Sequence, residues 1–213
     1  IKGAKILDMG SGTGGVSIEL ARRGAAVTAV EIDAHRVAVM QERAREFGLH
    51  IEIVKNFEAV SSQSFDGVVM LDVLEHLVDP DSVFTNIYRM LNDKGFVYIS
   101  TPNKYSPVNI LCDPHFSLPG LALGSRETVR AVVGRWLKWQ PVDRVDYPQL
   151  FGFYQLMNFL NRHGFGLGLV NRSALEFAFK HPECIWNRPA HLAFIRHGGG
   201  WLLKKSLFWG NSL

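Results

Sequence analysis

Short apolar segments alternate with amphipathic segments over the first hundred residues, and this alternation constrains the fold of the chain more than any other feature. The apolar segments predicted as strands are 5–9, 27–32, 51–54, 65–71 and 96–100. Between them, apolar side chains at helical spacing predict helices over 16–23, 34–47 and 82–91. Strands that alternate with helices pair in parallel through right-handed crossovers. The sequence therefore predicts an α/β fold with a doubly wound, mostly parallel sheet.

The alternation stops after residue 100. Prolines are frequent over 101–148, which predicts an insertion of turns and short helices that acts as a lid. A helix over 149–163 and strands near 165–170 and 191–197 are predicted to complete a Rossmann-like sheet of about seven strands. We therefore expect one domain over 1–213 that contains the insertion.

Composition excludes a membrane-spanning helix and differs between the two halves of the chain. No run of 18 apolar residues occurs, which excludes a membrane-spanning helix, and the two cysteines favour a reducing, cytoplasmic location. Residues 1–100 carry 10 Lys and Arg against 14 Asp and Glu, whereas residues 101–213 carry 13 against 6. All five Trp also lie in the second half. That half is predicted to face an anionic or amphiphilic partner.

A glycine-rich turn follows the first predicted strand, in the segment 8–15 (DMGSGTGG). Such a turn brings the backbone close to a ligand and aims free N–H groups at it. Gly10, Gly12 and Gly15 also match the spacing of a dinucleotide fingerprint, with Glu31 at the distance of an acid that binds a ribose diol. An NAD site is therefore one interpretation, whereas a P-loop is excluded because no Gly-Lys-Ser/Thr follows.

Asp8 favours a different cofactor. Its carboxylate, two residues before the first glycine, is badly placed beside a pyrophosphate but well placed beside a cationic amino group. S-adenosylmethionine carries such a group. The residues alone leave both cofactors open and favour S-adenosylmethionine.

Four segments in this order resemble the motifs of class I S-adenosylmethionine-dependent methyltransferases, and in particular the branch that includes the ubiquinone-biosynthesis O-methyltransferases. They are 8–14 (DMGSGTG), 27–33 (VTAVEID), 65–80 (FDGVVMLDVLEHLVDP) and 91–103 (LNDKGFVYISTPN). The resemblance covers 5–103 well and the rest of the chain loosely. It implies a methyltransferase fold and S-adenosylmethionine as the cofactor.

The resemblance also implies roles for residues of the first two motifs. Asp8 would hold the methionine amine, and Glu31 would accept hydrogen bonds from both ribose hydroxyls. A backbone cradle for the cofactor would be formed by Gly10, Ser11, Gly12 and Gly14.

Further cofactor contacts are implied along the sheet edge. Ile32 would cover one face of the adenine, and Asn56 would accept a hydrogen bond from its exocyclic amine where the family often has Asp. Phe57 would add a backbone or ring contact. Leu71 and Asp72 would border the methionine moiety.

Two histidines are candidates for the chemistry. A sulfonium methyl is already activated, so an enzyme mainly aligns the acceptor, and a hydroxyl acceptor also needs a base. His76 is the first candidate, because the spacing of Asp72, Glu75 and His76 places them on one face of a helix beside the expected sulfur. The resemblance implies that these three residues could also bind Mg²⁺ or Zn²⁺. His115 in the insertion is the second candidate.

The leading prediction is a methyltransferase that acts on a small-molecule acceptor, with O-methylation favoured because of the histidines. One alternative is a non-catalytic cofactor-binding module of a larger assembly. Another is an NAD-dependent oxidoreductase, although the chain lacks a hydride-transfer motif such as Tyr-x-x-x-Lys. Nucleic-acid methylation is less favoured, because the basic residues are scattered and no base-flipping motif is recognisable.

Overall fold

A computed structural model describes residues 1–60 and 63–170, together with residues 177, 180, 181 and 193. The chain divides into two compact units, Ile1–Thr101 and Pro102–Leu213. Among the described residues, no helix is both long and apolar enough to cross a membrane.

The first unit is built on a five-stranded parallel sheet with the order β3-β2-β1-β4-β5. Its strands are β1 Lys5–Met9, β2 Ala26–Val30, β3 Glu52–Val54, β4 Phe65–Leu71 and β5 Leu91–Ser100. Its helices are α1 Gly15–Arg22, α2 Ala34–Glu46 and α3 Pro80–Met90, with 3₁₀ turns at Phe57–Val60 and Leu74–His76. The predicted α/β class and the parallel sheet are confirmed.

The central strand β1 decides where a ligand can bind in this unit. It lies between β2 and β4, so the strand order reverses beside it. Its apolar side chains are buried and pack in a cluster that includes Ile6, Val27 and Val69. In open α/β sheets, ligands bind outside the carboxyl ends of the strands at such a switch point. The segments that follow β1, β2 and β4 therefore form the candidate site.

Most of the other strand and helix ends differ from the predicted ones by one or two residues, and two differences in the first unit have identifiable reasons. Helix α3 begins at Pro80 rather than at residue 82, because Asp79 caps it by accepting a hydrogen bond from the Ser82 N–H, and proline fits the first helical position. Strand β5 begins at Leu91 rather than at residue 96, because Leu91 pairs with β4 before a register shift.

The second unit contains short helices, and those over 121–136 pack around the buried ring of Tyr147. They are α4 Pro107–Leu111, a 3₁₀ turn at Leu121–Leu123, α5 Arg126–Val129, a π-helix at Arg130–Trp136 and α6 Phe153–Arg162. Tyr147 is fully buried with Leu121, Val129 and Val133, and its hydroxyl donates to the Pro141 carbonyl at 2.9 Å. The predicted turns and short helices of 101–148 are present.

The predictions for the end of the chain are partly wrong. Helix α6 begins at Phe153 and not at residue 149, because Phe151 forms a parallel bridge with Asn103 and Gly152 caps the helix in an extended conformation. Residues 165–169 form no strand, and glycine at 164, 166 and 168 explains why, since it weakens strand formation. The strand predicted near 191–197 lies outside the described residues, so the structure describes five strands of the predicted seven.

Candidate functional site

Two buried carboxylates lie at the carboxyl ends of adjacent strands in the first unit. Asp8 is on β1 and is 3% exposed, and Glu31 directly follows β2 and is 4% exposed. In the register of the two strands, Asp8 pairs with Ala29, two residues before Glu31. Buried acids are uncommon unless they are hydrogen-bonded or functional. The partners of these two side chains therefore define the site.

Ser17, on helix α1, is the hydrogen-bonding partner of Asp8. Its hydroxyl donates to Oδ2 of Asp8 at 2.5 Å, and its backbone N–H also interacts with that carboxyl group. Burial raises the pKa of Asp8 from 3.8 to about 6, an effect that the two Ser17 donors oppose and the charge of Glu31 enlarges. Asp8 is therefore mostly ionised at neutral pH but protonates in mild acid.

Glu31 uses both carboxylate oxygens to order the adjacent backbone. Oε2 accepts from the Gly12 N–H at 2.8 Å, and Oε1 accepts from the Asp33 N–H at 2.9 Å. Each oxygen of a carboxylate accepts two hydrogen bonds, so each retains one acceptor position. Ile32, the next residue, is 82% exposed. This arrangement combines a fixed bidentate acceptor with an apolar surface.

The N–H groups of the four residues predicted to form the cradle are not free. The N–H groups of Gly10 and Ser11 donate to the Val30 carbonyl at 2.9 and 3.1 Å, and that of Gly14 donates to the Ser11 carbonyl at 2.9 Å. Since the Gly12 N–H binds Glu31, all four predicted cradle residues use their amides inside the protein. A pyrophosphate needs such donors, and the N–H groups of these four residues do not supply them.

Gly12 has open space on the side where a Cβ would lie. Its φ is +57°, a left-handed conformation, and a Cβ at this position would have no neighbour within 4 Å. The turn thus leaves open space on this side, next to the carboxylate of Glu31.

Helix α2 supports the turn through residues that the sequence did not indicate as functional. A Cβ on Gly14 would lie 2.4 Å from Cγ of the buried Met40, so only glycine fits there. The Arg43 guanidinium donates to the Thr13 carbonyl at 2.8 Å. Nothing in the sequence indicated the roles of Arg43 or of Ser17.

The structure places Asn56 and Phe57 after β3. Oδ1 of Asn56 accepts from the Ala59 N–H at 3.0 Å and so caps the 3₁₀ turn that begins at the half-buried Phe57. That oxygen retains a second lone pair. Their contacts with adenine stay predictions.

The prediction that Asp72, Glu75 and His76 share one face of a helix is wrong. Only a single 3₁₀ turn forms, from Leu74, and Asp72 precedes it in a left-handed conformation with φ +53°. Asp72 is exposed, whereas Glu75 is fully buried and accepts from the Thr101 hydroxyl at 2.9 Å. Burial raises the pKa of Glu75. Within the part of the chain that the structure describes, Asp72 does not join Glu75 and His76 in a group of metal ligands.

The remaining predicted residues are partly accessible. Leu71 ends β4 and is half-buried, as is His76. His115, in the second unit, is half-buried in a turn ordered by the buried Asp113, whose Oδ1 accepts from the N–H groups of His115 at 3.0 Å and Phe116 at 2.8 Å. The catalytic roles of the two histidines stay predictions.

Comparison with known proteins gives one family. A family described as a methyltransferase domain matches residues 1–169. The ubiquinone biosynthesis O-methyltransferase of Pseudomonas entomophila is 31% identical over 173 residues, which cover 74% of this chain and 75% of that protein. Against the protein of that name from Pseudomonas putida F1, the match is 38% identical but spans 47% of its length.

Solved structures agree on the fold. An S-adenosylmethionine-dependent methyltransferase from Methanosarcina mazei is 21% identical with a TM-score of 0.55, covering 79% of this chain and 82% of that one. The [4+2]-cyclase SpnF is 20% identical with a TM-score of 0.54, covering 76% and 51%. Because a cyclase shares the fold, these likenesses show architecture alone.

Proposed function

Because this chain belongs to the S-adenosylmethionine-dependent methyltransferases, we propose that it transfers a methyl group to a hydroxyl oxygen of a small, anionic or amphiphilic acceptor. The observation that carries the proposal is the pair of buried carboxylates, Asp8 and Glu31, at the ends of β1 and β2. Buried acids at these two places suit a cofactor that offers one ammonium group and one diol.

The described residues fit S-adenosylmethionine on chemical grounds. Asp8 supplies a negative charge for the methionine ammonium, and Glu31 retains two acceptor positions for the ribose hydroxyls. The exposed Ile32 supplies an apolar surface for adenine. The proposed set also includes the glycine turn, Asn56 and Phe57 after β3, Leu71 at the end of β4 and Asp72 directly after it.

The test of this cofactor site is calorimetry with S-adenosylmethionine, S-adenosylhomocysteine and NAD in parallel. We expect the first two to bind and NAD not to bind. Glu31→Ala should weaken the binding of both by about 10- to 100-fold, because hydrogen bonds to a charged acceptor are lost. Glu46→Ala, an exposed acid at the end of α2, is the control. Equal affinity of wild type and Glu31→Ala would overturn the assignment.

Two considerations favour oxygen as the methylated atom. The curated relatives are named as O-methyltransferases. When bound, the cofactor supplies a methyl group activated on a positively charged sulfur, so this chain has to orient the acceptor, exclude water and remove one proton. We assign the proton removal to His76, which follows β4 and is half-buried, with His115 as the second candidate.

The histidine assignment predicts a separation of two kinetic quantities. His76→Ala should lower kcat by about 100-fold while it changes cofactor affinity by less than about threefold, since general bases contribute on this scale. His50→Ala, on an exposed loop of the same unit, is the control. Full turnover in both His76→Ala and His115→Ala would show that neither histidine is the base.

The second unit supports an anionic or amphiphilic acceptor. It contains a cavity of about 280 Å³ whose lining includes Lys104, Arg162 and Gln155 beside the rings of Phe151 and Phe159. Two cations and two rings with no acid in the lining suit an anion that carries an apolar group. A screen that compares each phenolic acceptor with and without a carboxylate tests this class; preference for neutral, non-aromatic amines would contradict it.

A location in the cytoplasm is also part of the proposal, because Cys112 is a free, exposed thiol.

The predicted lid over 101–148 remains a proposal about the acceptor side, since these residues directly follow the last strand of the first unit. Proteolytic nicking within 101–148 should abolish turnover of an identified acceptor, and unchanged turnover would exclude a lid.

A further inference from the structure

Ser17 is fully buried and is committed to one partner. It is the third residue of α1, directly after the glycine turn, and it is 0% exposed. Its hydroxyl and its backbone N–H both interact with the Asp8 carboxyl group, the hydroxyl at 2.5 Å from Oδ2. Helix α1 thus presents two hydrogen-bond donors to the carboxyl group of Asp8 on β1.

The surroundings of Asp8 would otherwise favour its neutral form. Its partners in the sheet register are Ala29 on β2 and Val69 on β4, neither of which carries a charge. The charged group that acts on it from these elements is Glu31, which is negative and therefore also opposes ionisation. Ser17 is the group that stabilises the ionised carboxylate, because donors bind the charged form more strongly than the neutral one.

The ionisation state of Asp8 matters for the function proposed above. A neutral carboxyl group offers an ammonium ion no charge, and part of its hydrogen-bonding capacity is a donor, which an ammonium cannot accept. Binding of an ammonium therefore requires Asp8 to lose its proton, which passes to solvent, so binding and deprotonation are linked.

We propose that Ser17 is a positioning residue that keeps the Asp8 carboxylate ionised and oriented for the ammonium group of the cofactor, and thereby sets the pH below which cofactor affinity falls. This inference rests on the proposed function, since it needs Asp8 to be the ammonium partner. It adds that acidification releases the cofactor through Asp8 and that a residue outside the ligand contacts determines where on the pH scale this happens.

The experiment is calorimetry with S-adenosylhomocysteine between pH 5 and 7.5, in pairs of buffers with different ionisation enthalpies. For the wild type we expect affinity to fall below pH about 6, approaching tenfold per pH unit, with release of one proton per cofactor bound at the acidic end. In Ser17→Ala the onset should move up by about one pH unit, which is about a tenfold loss near pH 6 and a loss of less than threefold at pH 7.5.

Two further variants separate positioning from general damage. Ser17→Thr keeps the hydroxyl and should return the pH profile towards that of the wild type. Thr28→Ala removes another buried hydroxyl that donates to a carboxylate in the same sheet, that of Glu52 at 2.8 Å, and should leave the profile unchanged. A profile of Ser17→Ala that overlies the wild-type profile would overturn the proposal.

The outcomes also distinguish this inference from the function beneath it. If Asp8→Asn binds with wild-type affinity at every pH, Asp8 is not the ammonium partner, and both statements fail. If Asp8→Asn binds weakly but Ser17→Ala keeps the wild-type profile, only the role of Ser17 fails. Should Ser17→Ala not fold, proton release is measured on wild type and on Ser17→Cys, a weaker donor, and identical release curves would reject the proposal.

Discussion

The two units are stabilised in different ways, and the difference explains why one was easier to predict. In the first unit, five parallel strands pair along their lengths and place residues by register, so that Asp8 on β1 and Glu31 after β2 reach the same sheet edge. In the second unit, the 3₁₀ turn, α5 and the π-helix pack their side chains against the ring of Tyr147. Backbone ladders determine the position of many residues at once, whereas a cluster of this kind depends on one side chain.

The surroundings of Tyr147 show how much depends on it. The guanidinium groups of Arg130 and Arg144 lie 6.0 and 5.8 Å from the centre of its ring. Arg144 is itself held by two hydrogen bonds to Asp146, at 2.7 and 3.0 Å. A Cβ on Gly134 would lie 2.4 Å from the Tyr147 hydroxyl, so the π-helix is in close contact with the ring. The loss of this ring should therefore affect the second unit as a whole.

The largest expected effect tests that statement. Tyr147→Ala should destabilise the second unit by about 4 kcal/mol, the usual cost of removing a buried aromatic ring, as measured by chemical denaturation. Cofactor affinity should change by less than about threefold, because every residue proposed to bind the cofactor lies in the first unit. Tyr147→Phe, which loses only the hydrogen bond to Pro141, should cost about 1 kcal/mol. Equal costs for the two variants would contradict a role for the ring.

The second effect concerns Asp8, whose ionised form is destabilised by burial in the first unit. The pKa of Asp8 is raised from 3.8 to about 6, so the native state binds this proton more tightly than the unfolded chain. The stability that comes with protonation is present below pH 4 and is lost as the pH rises through 6. The stability of Asp8→Asn relative to the wild type should therefore increase by about 3 kcal/mol as the pH is raised from 4 to 7.5. Cofactor binding should be lost in this variant. Urea denaturation at the two pH values measures the gain.

The success of the sequence interpretation follows the same division. Strands β1 and β4 have the predicted bounds, because a buried parallel strand is a continuous apolar run with turn residues at its ends. The burial of Asp8 and Glu31 at the carboxyl ends of strands follows from the same patterns together with the parallel topology.

What could not be predicted depends on contacts between residues far apart in sequence. The amides of Gly10, Ser11 and Gly12 donate to Val30 and Glu31, about twenty residues away, so no local pattern shows that they are occupied. Ser17 is one serine in a helix until β1 brings the Asp8 carboxylate beside it. In the segment 165–170, which was predicted as a strand, apolar residues alternate with glycine. The prediction used the apolar residues and did not take into account that glycine weakens a strand.

A third prediction compares two glycines of the same turn. Gly14→Ala should destabilise the first unit by about 2 kcal/mol, because the left-handed conformation, at φ +80°, disfavours alanine and the new methyl group would overlap Met40. Gly12→Ala has the same backbone penalty without the overlap, so it should cost about 1 kcal/mol. Gly12→Ala should nevertheless weaken cofactor binding more than its effect on stability suggests, because its methyl group enters the open space beside Glu31. Thermal denaturation with and without S-adenosylhomocysteine separates the two effects, and a larger loss of stability in Gly12→Ala would contradict the packing argument.

The smallest expected effect comes from Arg43, which joins α2 to the glycine turn. Its guanidinium donates to the Thr13 carbonyl, a contact across thirty residues of sequence at an accessible position, so removing it should cost only about 0.5 kcal/mol of stability. The turn that it holds carries Gly12 and contacts Glu31, so a looser turn should raise the dissociation constant of S-adenosylhomocysteine about two- to threefold.

Arg45→Ala is the matched control, since Arg45 lies on the same helix and pairs only with the exposed Glu42 among the ion pairs described. We expect Arg45→Ala to change stability by a similar amount and the dissociation constant not at all. If the two variants weakened binding equally, the effect of Arg43 would come from the charge of α2 and not from its hold on the turn, because the control removes the same charge without touching Thr13.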